Sequence, residues 1–501
     1  MLRVLVSRYS VVKDLREVRA DALALIVFKD VKPSKMYPDV EASIGGVVTK
    51  ALELGDFRGD EGEVLVTYSS STPYLRVLAI GGGKGSEATY ETLRVYGGAA
   101  VSKSMSLGVK SLAIYLHPLR DRRRSLRAVA EGASLANYSF GRYKEVRGVG
   151  EVFMVGRVRV AGWADVLKEV AVISEAYRIG RDLANSPAED VNPESFEGFV
   201  REAFREMPVR VRVLHLKELL NEGLRGIAAV GRGSPREPRL VILEYRGGGS
   251  GWYAVIGKGV CFDSGGLNLK TSQWMRDMKF DKAGAAYAVA IAYAAAKLKL
   301  PLNIVVLAPL VENLPSRNPY KPGDVIRMYN GLTVEVANTD AEGRIILADA
   351  IAYAVRNYRP RALIDLATLT SGIVVALGSN AAGLFSNDEE LARGIERASE
   401  ECGERVWRMP LWREYLEDIK SDVADLKNVG VPNVATPIAG AAFLSRFTDG
   451  TPWAHIDIAG TAWTRDEGPK KPYYPKGATG FGIRLVLEYL KSVARALGSP
   501  H

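Results

Sequence analysis

Short apolar runs and helix-period segments alternate along the first third of the chain. Residues 22–28, 63–68 and 75–80 are compact β-rich runs and predict strands. Residues 87–96 and 126–138 repeat apolar positions at three- and four-residue intervals and predict helices. The alternation predicts a smaller α/β domain over residues 1–160. Residues 165–183 predict one long helix inside a connecting segment, 161–184. Asn185-Ser186-Pro187 should end it, because a residue before proline avoids the α region.

From about residue 190 the alternation strengthens. Residues 240–245 and 253–256 predict strands separated by a glycine-rich turn at 247–249, and 283–297 predicts a helix. Residues 303–308 are apolar throughout, which suits a central strand buried on both faces. A strand at 332–336, a helix at 344–353 and a central strand at 363–366 follow. The fold class is therefore α/β: the smaller N-terminal domain plus a larger C-terminal one over 185–501, with a mixed central sheet flanked by helices.

Composition narrows the functional classes. The apolar, Ala-rich stretch 283–298 is the nearest approach to a membrane span, yet Lys297 and Lys299 close it below the length of about 18 residues that a span needs. It reads as a buried helix. The N-terminus lacks a sustained apolar leader segment, so a cytoplasmic location is expected. The chain has 501 residues with two cysteines, Cys261 and Cys402, which excludes a disulfide framework and fits a reducing compartment. Four histidines leave carboxylates as the main source of metal ligands. The net charge of +9 and the cluster Arg120, Arg122, Arg123, Arg124 and Arg127 raise the question of nucleic acid. No zinc-finger spacing or RNA-reading aromatic signature accompanies the cluster, and a solvated surface is the simpler reading. Gly81-Gly82-Gly83-Lys84-Gly85 imitates a phosphate loop, but Gly85 stands where that pattern needs Ser or Thr. A packing turn is expected there.

Chemistry-bearing residues gather in three segments. Lys258, Asp263 and Lys270 lie in the glycine-permissive stretch KGVCFDSGGLNLK after the 253–256 strand, where the loops of an α/β sheet build sites. Asp281 precedes the 283–297 helix. Asp340 and Glu342 lie in NTDAEGR, between a strand and a helix, with Gly343 relieving crowding. Four carboxylates with lysines nearby suit a dinuclear metal site. Ordinary acidic residues at helix starts are the rival explanation, since the helix dipole favours them there.

These segments resemble the cytosolic leucine aminopeptidase family. GKGVCFDSGGLNLK, MKFDKAGAA, NTDAEGRIILADA, DLATLTSG, SDVADLKNVG and HIDIAGTAW occur in the family's order and spacing, over roughly residues 160–490. The resemblance implies that Lys258, Asp263, Asp281 and Glu342 hold a tightly bound metal. It implies that Asp263, Asp340 (with its main-chain carbonyl) and Glu342 hold a more exchangeable one. Lys270 and Arg344 are then the catalytic residues, with a bicarbonate near Arg344. The implied cofactors are two divalent ions, Mn2+ or Zn2+. The implied substrates are short peptides with a free N-terminus, and the implied assembly is a homohexamer, a dimer of trimers enclosing its sites. Met278, Thr368 and Ser371 should line the pocket for the first side chain. The family usually has glycine at the position of Ser371, which puts a strong leucine preference in question. Cys261 replaces a usual Thr or small residue and should point into the fold. Asp422, Asp425, His455 and Asp457 read as architectural. Two other classes remain as rivals: a DNA-binding regulator using the basic surface, as some bacterial relatives are, and an inactive relative. The complete set of site residues opposes the second.

Overall fold

The computed structural model describes residues 8–12, 18–69, 74–156, 162–464 and 471–498. It divides into two compact units, Met1–Glu175 with Lys470–Pro475, and Ala176–Pro469 with Lys476–His501.

The first unit holds a six-stranded sheet. Its strands are β1 (Arg8–Val12), β2 (Ala22–Val27), β3 (Val64–Tyr68), β4 (Arg76–Gly81), β5 (Ser111–Tyr115) and β6 (Glu151–Val155), in the order β1-β6-β5-β2-β4-β3. All neighbours are parallel except the β3 edge. Helices α1 (Tyr90–Ser106) and α2 (Arg122–Ala136) belong to this unit. The arginine cluster opens α2, where Asp121 accepts hydrogen bonds from the Arg123 and Arg124 amides and caps the helix. The Gly81–Gly85 turn is filled from within: the Asp30 carboxylate accepts from Gly85 N (2.7 Å) and Ser86 N (3.4 Å). Those are the amides a phosphate would have used, so the turn is a closed piece of architecture.

One helix, α3 (Trp163–Asn185), carries the chain from the first unit into the second. The second unit is built on a mixed nine-stranded sheet. Its strands are β7 (Val209–Leu214), β8 (Arg239–Arg246), β9 (Trp252–Gly257), β10 (Gly259–Asp263), β11 (Asn303–Asn313), β14 (Ala362–Ala367), β15 (Ala382–Ser386), β16 (Val406–Arg408) and β18 (Trp453–Asp457). The order β16-β15-β18-β14-β9-β11-β8-β7 puts β9, β11, β14 and β18 parallel at the centre, with β10 extending from β11. These central strands are Val-, Ile- and Leu-rich and buried along their length, as both-face burial demands. Two expectations shift. The segment 259–263 forms a short strand rather than a loop, because β11 runs five residues past 308 and offers it a partner. The 332–336 strand lies off the main sheet. It is β13 (Thr333–Glu335), between β12 (Val325–Arg327) and β17 (Leu426–Lys427).

Helices α4 (Ala283–Lys297) and α5 (Glu342–Tyr358) are buried over most of their length. The alanines of α4 permit its close seat on the sheet. A Cβ on Gly284 would lie 2.2 Å from the Leu366 carbonyl oxygen, and one on Gly257 would lie 2.3 Å from the Gly284 oxygen. Among the described residues no helix is long and apolar enough to cross a membrane.

Candidate metal centre

The tight approach of α4 to the ends of β9 and β14 makes the first half of the site. Lys258 follows β9; its amide donates to Leu366 O (3.0 Å) and its carbonyl accepts from Ala285 N (2.7 Å). Its side chain is thereby aimed at the short 3-10 turn Met278–Lys282, where Asp281 sits. Lys258 Nζ lies 2.8 Å from Asp281 Oδ1, 3.0 Å from Glu342 Oε1 and 3.0 Å from Thr368 O. Thr368 Oγ1 donates to the same Asp281 oxygen at 2.7 Å. Gly343 makes this possible, since a Cβ there would stand 2.4 Å from Lys258 Cε.

The second half forms where β10 ends and α5 begins. Asp263 closes β10, and its Oδ1 accepts from Gly265 N (2.9 Å) and Asn313 Nδ2 (2.8 Å). Lys270 Nζ pairs with Asp263 Oδ2 at 2.8 Å and with Asp340 Oδ1. One ligand oxygen from each of Asp263, Asp340 and Glu342 falls within 4.8 Å of the others. Thr339 stitches the segments: its amide donates to Asn268 Oδ1 (2.9 Å), its hydroxyl donates to Gly265 O (2.7 Å), and its carbonyl accepts from Asn313 Nδ2 (3.0 Å).

Electrostatics expose what this arrangement lacks. Four carboxylates face two ammonium groups. Burial raises the carboxyl groups of Asp281, Asp340 and Glu342 above the usual carboxylate range, and the Asp263 charge pushes each further. Burial disfavours the charge on Lys258, but the Asp281, Glu342 and Asp263 carboxylates outweigh it and hold the lysine above its ordinary value. The same contest, with Asp263 as the main partner, holds Lys270 high. A ligand lysine needs a neutral amine, so Lys258 can serve only if cations take over the charge that the carboxylates now direct at it. Asp281 Oδ2 and Glu342 Oε2 are buried without any hydrogen-bond partner. Buried charged oxygens left unpaired are costly, and a divalent ion is a partner that would relieve them; Asp281 is not in the group whose oxygens lie within 4.8 Å of one another.

Arg344 is the third residue of α5 and is buried. Its Nη1 donates to Asn428 O (2.8 Å), while its Nε has no protein partner. Burial lowers its pKa to about 10 against the pull of Glu342 and Asp457. Thr368 is buried in direct contact with Asp281, Met278 shares the turn with Asp281, and Ser371 is exposed at the start of the helix Ser371–Leu377. Asp457 is an anchor for this loop: it accepts from Leu369 N (3.1 Å) and Thr370 Oγ1 (2.7 Å). Cys261 is fully buried, and burial pushes its thiol up to about 12, which removes it as a nucleophile. Asp425 holds Thr333 through its amide (2.8 Å) and hydroxyl (2.7 Å).

Residue patterning gives no role to Asn268, Asn313, Thr339 or Asn428, although Asn268, Thr339 and Asn428 lie inside the segments GKGVCFDSGGLNLK, NTDAEGRIILADA and SDVADLKNVG. Asn313 carried one visible signal, a polar ending to an apolar run.

Buried acids with orphan oxygens beside buried lysines, at the strand ends of a mixed α/β sheet, make a site whose donors suit divalent ions. The comparisons with known proteins give the family. Residues 178–487 match the cytosol aminopeptidase family's catalytic domain, and residues 24–147 match its N-terminal domain. A probable cytosol aminopeptidase of Geotalea uraniireducens is 42% identical over 470 residues, covering 92% of this chain and 94% of its own. The bottromycin maturation enzyme BotP, solved in complex with Mn, superposes with a TM-score of 0.84 at 33% identity, over 95% of this chain and 100% of its own. A mutant tomato leucine aminopeptidase gives 0.86 at 26% identity, over 97% and 96%. The chain belongs to the cytosol aminopeptidase family and is a peptidase of the metallo-aminopeptidase type.

Proposed function

We propose that this chain is a leucyl-type aminopeptidase that removes the N-terminal residue from short peptides with a free α-amine, using two divalent ions. The observation that carries the reading is the pair of partnerless buried oxygens, Asp281 Oδ2 and Glu342 Oε2, in a cluster where carboxylates outnumber ammonium groups. Lys258, Asp263, Asp281 and Glu342 would hold the tighter ion, and Asp263, Asp340 and Glu342 the looser one. Mn2+ and Zn2+ both suit oxygen and amine donors, and the Mn complex of BotP supports the first. When bound, two such ions supply Lewis acidity and a water acidic enough to attack near neutral pH.

The chain's own residues do the rest. The substrate's free α-amine would be held at one of the ions with Asp281 nearby, beside Thr368, and that requirement confines cleavage to the first peptide bond. Lys270 keeps its positive charge and faces the scissile carbonyl, where it stabilises negative charge as it develops on oxygen. Arg344, whose buried Nε has no protein partner, would hold a planar oxyanion such as bicarbonate, which would supply a proton relay there. Met278, Thr368 and Ser371 line the first side-chain pocket, and the Ser371 hydroxyl gives that pocket a polar edge. A cytoplasmic homohexamer, a dimer of trimers, completes the reading.

The test is hydrolysis of leucine p-nitroanilide and of an N-acetylated peptide after chelation, then after return of Mn2+ or Zn2+. The reading requires metal-restored release from the free amine alone. No release from several free-amine substrates with either metal removes it.

A further inference from the structure

Three of the four acids stand on regular elements or their turns: Asp263 ends β10, Glu342 opens α5, and Asp281 lies in a 3-10 turn. Asp340 alone hangs on an irregular loop, and its side chain is 34% exposed, against 6% or less for the others. A carboxylate so placed keeps its geometry only if something else fixes the loop.

Asn428 is that fixture. It is fully buried, directly after β17, and ninety-one residues from the loop's start at Ala337. Its Oδ1 accepts from Ala337 N (2.8 Å) and Asn338 N (3.2 Å), and its Nδ2 donates to Asn338 O (2.6 Å) and Ala341 O (3.3 Å). A carboxamide has two donors and two acceptor sites, and all are used on this one loop. Asn338, gripped at both its amide and its carbonyl, accepts the Asp340 amide on its own Oδ1 at 2.7 Å. The main chain of Asn428 is engaged too: its amide donates to Glu335 O (3.0 Å), and its carbonyl receives Arg344 Nη1. The contact to Arg344 is therefore independent of the side chain. On the other flank Asn313 donates to both Asp263 Oδ1 and Thr339 O.

We propose that Asn428 is a positioning residue for the looser ion: by fixing the Asp340 loop it sets the affinity of the position shared by Asp263, Asp340 and Glu342, without touching ion or substrate. The proposal rests on the two-ion reading above. Asn313 differs in consequence, because Asp263 serves both ions.

The experiment is titration of the chelated full-length protein with Mn2+, following free Mn2+ by electron paramagnetic resonance, with a melting curve for every variant. Wild type should take up two ions per chain in two steps. Asn428→Ala should weaken the second step by about 10- to 100-fold, the scale on which losing the support around a metal ligand acts, and leave the first within about threefold. Asn428→Ser, which keeps one hydroxyl and serves if the alanine variant fails to fold, should fall between. Asn313→Ala should weaken both steps. The proposal is overturned if folded Asn428 variants bind the second ion as wild type does, or if both steps weaken by one factor, the mark of a merely structural residue. Failure of wild type to take a second ion would sink the two-ion reading itself, visibly and before any variant is compared.

Discussion

Each unit of the molecule has a strand leading into a glycine-rich segment with lysine and a nearby aspartate, and the two segments have opposite fates. In the first unit, Asp30 spends both carboxylate oxygens on the amides of Gly85 and Ser86, and Lys84 pairs with Glu87 at 2.9 Å on the surface. Every charge there is exposed or matched. In the second unit, Lys258 and Lys270 are drawn among four mostly buried acids, and two carboxylate oxygens find no partner. Residue types do not separate a packing turn from a reactive site here. Burial with incomplete charge matching does, because such a state is costly and concentrates at sites that take a ligand.

The contrast can be broken most sharply at Glu342. Glu342→Gln keeps the shape and removes the charge that the proposed two ions would share, so kcat/KM should fall by more than about 10³-fold and metal content should drop. Retention of both would contradict the account. Lys270→Ala should cost about 10²- to 10³-fold in kcat with metal content preserved, the scale of losing one oxyanion donor. Gly343→Ala tests packing: its methyl would collide with the Lys258 stem, costing about 1–3 kcal/mol in a thermal melt and weakening metal retention.

A milder effect concerns pH. His455 is fully buried with Nδ1 2.6 Å from Asp365. Burial pushes its imidazole down, but Asp365, helped by Asp457, overrides this and the net shift is upward from 6.5. The folded state thus binds the proton more tightly than the unfolded chain. The pair's contribution is complete below the unfolded value near 6.5 and is lost as pH climbs through the raised folded value. Melting midpoints measured upward from pH 6 should fall more steeply for wild type than for His455→Gln, and parallel curves would reject the assignment. The smallest effect belongs to the first unit: Asp30→Asn should leave peptidase activity within about twofold, as surface changes usually do.

Much of this was readable in the chain. The apolar run from Ile304 and the alanines of α4 announce buried elements by composition alone, and the acids of DAEGR stand next to a helix start. Strand β10 was not readable, because its partner is the far end of β11, fifty residues on, and the strand is only five residues long. Asn313 and Asn428 were equally hidden. Their meaning lies in hydrogen bonds to residues 50 and about 90 positions away, and a lone asparagine in a loop has no periodicity to betray it. The orphan oxygens of Asp281 and Glu342 are likewise a property of packing, not of spacing.

The most direct measurement is anomalous diffraction from crystals of the protein grown with Mn2+. Two ions would appear as two peaks per chain about 3.5–4 Å apart, beside Asp263 and Glu342 and with Lys258 no longer paired to Asp281. A single peak, or none, with Lys258 still paired to Asp281 and Glu342, would contradict the two-ion reading.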